Sequence, residues 1–166
     1  MIESSFEDGI DQSTDITNCK YWRSVNSSMS MGGLPGITAK LVVGGYDIYL
    51  KTVWKKGRIV MIDITLSSGG NNIGERNSDS LEQTKFDMSR SWVEDSCRLA
   101  SYLLQTGHSN IDNVLDSWVG VEGFPHGYCP QLGHLQKGPL HACALLIKKR
   151  FVAWKDYIDN LQVSSK

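Results

Sequence analysis

No run of apolar residues in this 166-residue chain approaches the roughly 20 that cross a bilayer, so a membrane-spanning helix is not expected. The first eighteen residues, MIESSFEDGIDQSTDITN, have neither a basic start nor an apolar middle, so no secretory signal is read there. Cysteine is sparse: Cys19, Cys97, Cys129 and Cys143 lie far apart and form no CxxC pair, which argues against a disulfide framework. Net charge is also nearly lacking, at −1, so wholesale electrostatic capture of nucleic acid or of an anionic membrane is not indicated, while a local basic patch still suits a phosphate. These absences together predict a protein of the reducing cytoplasm. There is no internal repeat, and the length suits one domain with its own core.

What is present is local pattern. Residues 1–36 are rich in Ser, Asp and Gly, and the acids Glu3, Glu7, Asp8, Asp11 and Asp15 precede the first base, Lys20. That composition predicts an acidic, mostly flexible arm, with Tyr21 and Trp22 as its one anchor to the domain. The domain itself is expected over 37–160, with 161–166 as a tail. TAKLVV and YDIYLKTVW read as strands joined at Gly44-Gly45, a pair that tolerates the positive φ of a two-residue turn. Tyr46, Ile48, Leu50, Thr52 and Trp54 alternate onto one face. KKGR then turns the chain into IVMIDITL.

Helical spacing follows. Phe86, Val93, Cys97, Ala100 and Leu104 predict a long helix over 81–106, with Ser80 and Gln83 as a capping box and Gly107 as its stop. Ile111, Val114, Leu115 and Trp118 mark a short helix capped by Ser109 or Asn110. A last helix starts near Pro139 and aligns Leu140, Ala144, Ile147, Phe151, Trp154 and Ile158. The fold class expected is α+β: a three-stranded antiparallel meander covered on one face by a long, a short and a C-terminal helix.

Four segments carry residues suited to chemistry. FPHGYCPQLGHLQKGPLHAC (124–143) holds three of the four histidines. His126, Cys129 and His134 are the zinc (Zn) candidates, since the metal wants four convergent N or S ligands. The competing reading is a buried cysteine and loop-capping histidines, and it outweighs metal because no second closely spaced pair exists. A thiol–imidazole pair, Cys129 or Cys143 with His126 or His141, ranks below both. The stretch SSGGNNIGERNS offers backbone N–H groups of Gly69, Gly70 and Asn71, with Arg76 nearby, to a phosphate, although it lacks the lysine of a P-loop. Basic patches lie at Lys148-Lys149-Arg150, flanked by Lys137 and Lys155, and at KKGR (55–58) beside Trp54. A charge run is usually a solvated face. With aromatics beside it, it also suits phosphate or single-stranded nucleic acid. No paired carboxylates of a hydrolase are visible.

The order YDIYLKTVWKKGRIVMIDITLSSGG, VEDSCRLASYLLQTGHSNIDNVLDSWVGV, FPHGYCP and GPLHACALLIKKRF resembles the TSCPD domain. That module is found at the C-terminal end of adenosylcobalamin-dependent ribonucleotide reductases and in short freestanding relatives. Gly57, Asp63-Ile64, Leu104-Gln105-Thr106-Gly107 and Pro125-His126-Gly127 occupy the places the pattern expects, over about residues 40 to 151. The literal Thr-Ser-Cys-Pro-Asp string is absent, with Cys129-Pro130 its nearest echo. The chain is also too short for a reductase barrel. The resemblance therefore implies a non-enzymatic accessory module that acts through a nucleotide or a reductase-type protein partner; the sequence leaves a homo-oligomer open as well. The rival expectation is a small protein that sequesters a nucleotide signal or binds nucleic acid through the Gly-rich loop and the basic patches.

Overall fold

The computed structural model describes residues 22–26, 34–67 and 80–164. The expected meander is there, formed by β2 (Pro35–Val43), β3 (Tyr46–Lys55) and β4 (Arg58–Ser67). A fourth strand, β1 (Trp22–Asn26), joins it, and the sheet order is β1-β2-β3-β4, antiparallel throughout. Residues 22–26 therefore belong to the sheet, inside the segment that composition assigns to the arm; Trp22 pairs with Ala39 and Asn26 with Pro35. No apolar alternation announces so short an edge strand. The rest of the acidic segment lies outside the described residues.

Register places the apolar alternation of three strands on one face. Leu41, Ile48 and Leu66 are cross-strand neighbours, as are Ala39, Leu50 and Ile64, and all are buried. The opposite face carries Lys40, Tyr49 and Thr65 in the same manner, with Thr65 and Tyr49 exposed. A one-sided apolar sheet needs a cover. It is supplied by α1 (Ser80–Thr106) and α3 (Pro139–Ser164), while α2 (Ile111–Trp118) packs on α3. The helix α3 runs four residues past the expected domain end at 160. Phe86, Val93, Cys97, Ala100 and Leu104 of α1 and Ala144, Ile147, Trp154 and Ile158 of α3 share one core with the sheet. A β-bulge at Val53/Trp54 shifts the register at the β3–β4 end, where Trp54 meets Phe151 at 5.4 Å between ring centroids.

The β4 edge, and the stretch of β2 beyond β1, are closed by side chains or loop backbone. Along β4, the Ile62 N–H donates to Ser101 Oγ at 3.1 Å and that hydroxyl donates back to the Ile62 carbonyl at 3.2 Å. Gln105 Nε2 donates to the Val60 carbonyl at 3.2 Å, and the Ile64 backbone hydrogen-bonds the Cys97 thiol. Four helical residues rise about 6 Å and two strand residues about 6.6 Å, so positions 97, 101 and 105 run in step with 64, 62 and 60. An edge that would otherwise template aggregation is thus sealed. On β2, beyond its pairing with β1, the Val42 N–H donates to Gln131 Oε1 at 2.9 Å and the Gly44 N–H to the Tyr128 carbonyl at 3.0 Å. Those partners come from the small ribbon of β5 (Gly127–Cys129) and β6 (His134–Gln136). No helix among the described residues is long and apolar enough to cross a membrane.

Candidate functional site

The chain reverses between β3 and β4 at Lys56-Gly57. Gly57 has φ +77° and Lys56 has φ +53°, the left-handed region that an L residue enters at a cost. This two-residue turn puts Lys55, Lys56 and Arg58, all exposed, at one end of the domain. There α1 stops at Gly107, with φ +79°, and α2 starts at Asn110. Asn110 Oδ1 accepts from the Asn113 N–H at 2.9 Å, and its carbonyl accepts from Val114 N–H at 3.1 Å. The side-chain cap meets one of the orphan first-turn donors, that of Asn113, and leaves the N–H groups of Ile111 and Asp112 for outside partners.

Between these elements opens a cavity of about 480 Å³. Ile59, Leu104, Ile111 and Phe151 give it apolar walls; Arg58, His108, Asn110 and Asn113 form its polar rim. His108 is oriented by a 2.7 Å contact from Nδ1 to Thr106 Oγ1. The terminal helix adds a further cation, because a Cβ on Gly57 would sit 3.5 Å from Lys155 Nζ. Lys155 in turn holds Asp159 at 2.9 Å, and that hydrogen bond raises its pKa. The KKGR turn and Lys155, separate patches in the sequence, are therefore neighbours in space. Apolar walls with a few convergent polar groups and a surplus of cations suit a small ligand carrying both a planar apolar part and an anionic group.

The residues singled out from sequence are distributed differently. Gly69, Gly70, Asn71 and Arg76 lie outside the described residues. Lys148 pairs with Asp116 of α2 at 2.7 Å, Arg150 is buried, and Lys149 is exposed between them. Successive residues on a helix point about 100° apart, so the triplet does not form one basic surface. Of the three zinc candidates, Cys129 is fully buried and its thiol donates to Gln131 Oε1 at 3.6 Å, while His134 Nδ1 lies 3.0 Å from Gln136 Nε2. Among the described residues no group of three His, Cys, Asp or Glu side chains is placed to hold a metal ion.

The thiols are not set up as nucleophiles. Burial pushes the Cys129 and Cys143 thiols up, and burial together with Asp63 pushes Cys97 up to about 12. All three stay protonated at neutral pH. His141 is also committed: its Nδ1 accepts from the Gly120 N–H at 2.7 Å, closing the end of α2.

Sequence reasoning marked KKGR and Lys155 but missed His108, Asn110, Asn113 and Phe151 as their companions. The Gly107 stop and the Asn110 cap were legible markers of that corner. Their meeting with a hairpin tip some fifty residues away left no local signal. Compared with known proteins, the chain matches no family model, no curated protein and no solved structure.

Proposed function

We propose that this chain is a non-enzymatic binding module for a phosphate-bearing ligand, with a nucleotide as its class, and that it is related to the TSCPD accessory domain. One observation carries the reading: a cavity of about 480 Å³ at the N-terminal end of α2, apolar within, rimmed by Arg58 and His108 and flanked by Lys56 and Lys155. The phosphate sits against Arg58 and the open N–H groups of Ile111 and Asp112, where the helix dipole adds to the side-chain charge. The base lies on Ile59 and Phe151. Lys56 supports the same reading, because its left-handed φ of +53° sets a cation at the hairpin tip, where the backbone favours glycine or asparagine.

Calorimetric titration with nucleoside mono-, di- and triphosphates, and with the matching nucleosides, tests this. Binding should need the phosphate, weaken as salt rises, and drop at least tenfold in Arg58→Ala. Binding of the nucleoside alone at equal strength, or indifference to Arg58→Ala, would overturn it.

A second reading, docking on a reductase-type protein partner, is favoured by the outer surface of α1. Leu81, Met88, Leu99 and Tyr102 are each at least 60 % exposed. Their spacings of seven, eleven and three residues put them on one helix face, away from the core stripe. Light scattering and pull-down with Leu99→Asp separate the outcomes. Loss of a reductase complex in the variant supports this reading, loss of a dimer redirects it to a second copy, and no assembly of either kind removes it.

A further inference from the structure

The histidine-rich loop closes around a separate concavity, far along α3 from the first. It measures about 510 Å³ and is lined by Glu122, Gly123, His126, Gln136 and Lys137. Close backbone contact builds it: the Gly123 N–H donates to the Lys137 carbonyl at 3.0 Å, and a Cβ on Gly138 would lie 2.7 Å from the Gly123 nitrogen. Glu122 and Lys137 are thereby fixed on neighbouring backbone, both exposed. Among the described residues neither charge takes part in an ion pair.

Beneath them Gln136 is 3 % exposed. Its Nε2 donates to the His134 carbonyl at 3.2 Å, which fixes the amide's orientation. Its Oε1 is buried with no hydrogen-bond partner. His126 completes the rim, its ring set edge-on to Phe124 at 6.2 Å.

The mixture selects the ligand. A simple anion is opposed by Glu122, and a simple cation by Lys137. A molecule carrying both charges satisfies both. We propose that this concavity binds a small zwitterion of the free α-amino acid class. The α-ammonium, with three N–H donors, serves the Glu122 carboxylate. The α-carboxylate takes Lys137 Nζ and the His126 ring. The ligand's own side chain points to solvent, so the site reads the amino-acid head and not the residue type.

Amide chemical shifts of the full chain test this, using glycine, leucine, glutamate and lysine as probes up to about 10 mM. The expected result is movement confined to residues 122–127 and 134–138. Glycinamide, which lacks the carboxylate, and N-acetylglycine, which lacks the ammonium, should each bind at least tenfold more weakly than glycine. Glu122→Gln and Lys137→Gln, both at exposed positions, should each cost the same order, while Arg58→Ala leaves this binding unchanged. No shift with any of the four amino acids, binding of either blocked probe as tight as that of glycine, or indifference to both variants overturns the proposal. Loss in Arg58→Ala would overturn its independence from the first cavity.

Discussion

Gly44 and Gly127 meet backbone to backbone. A Cβ on Gly44 would sit 2.3 Å from the His126 carbonyl oxygen, and one on Gly127 would sit 3.0 Å from the Gly44 Cα. This contact docks the β2–β3 turn on the loop that carries His126 and Cys129. Gly44 also needs its positive φ of +57°. Gly44→Ala should therefore cost about 2 kcal/mol or more in urea unfolding. Gly107, with φ +79° but nothing within 4 Å of its missing Cβ, is the control. There Ala should cost only about 1 kcal/mol. Equal losses at the two positions would contradict the docking contact.

Ser101 serves both polar groups of Ile62 on the edge of the sheet. Ser101→Ala leaves a buried N–H and C=O unmet, and a loss of about 1–3 kcal/mol is expected. Hydrogen exchange at the Ile62 amide should quicken more than at Leu50, which lies inside the sheet. An unchanged Ile62 amide would show that the hydroxyl does not seal this edge.

His141 accepts the Gly120 N–H at Nδ1, so the ring is neutral there. Burial, then the charges of Lys137 and His134, hold its pKa below the ordinary 6.5. Between that lowered value and 6.5 the unfolded chain binds more protons than the native one. Its contribution to stability is thus complete above about 6.5 and declines as pH falls through the window below. Melting followed from about pH 8 to about pH 5 should show this fall. His141→Asn, which keeps an acceptor but does not titrate, should flatten it.

The buried thiols give a labelling test. Cys97, Cys129 and Cys143 should resist a thiol reagent in the native state and react on unfolding. Rapid native labelling of any of them would place a thiolate where burial forbids one.

Legibility followed the range of each interaction. Turns such as Gly44-Gly45, the alternation from Tyr46 to Trp54 and the cap at Asn110 are decided within a few residues, and the α+β meander with helices on one face was readable from them. β1 was not, because its pairing with Pro35–Ala39 rests on backbone hydrogen bonds that any side chains permit. Nor was the edge seal, since Ser101 and Gln105 reach across about forty residues and leave no periodic trace. At the site, Lys148-Lys149-Arg150 looked like one patch because charge in a row hides helical rotation. One member turns to Asp116 and another into the core. KKGR kept its promise of exposed charge because a hairpin tip has nowhere to bury it.

Lys56 sets stability against binding. Lys56→Gly removes the strain of φ +53° and should raise stability by up to about 1 kcal/mol. The same change should weaken nucleotide binding several-fold. A variant that gains stability and keeps full affinity would make this lysine incidental to the site.

Whether the cavity at the N-terminal end of α2 holds a nucleotide is decided by titrating a nucleoside triphosphate into the full chain, beside Arg58→Ala and Asp112→Asn. Asp112 lies in the first turn of α2, so its charge opposes a phosphate there. One site per chain is expected, with at least tenfold weaker binding in Arg58→Ala and tighter binding in Asp112→Asn. Heats indistinguishable from buffer, or affinities that ignore both changes, would contradict it.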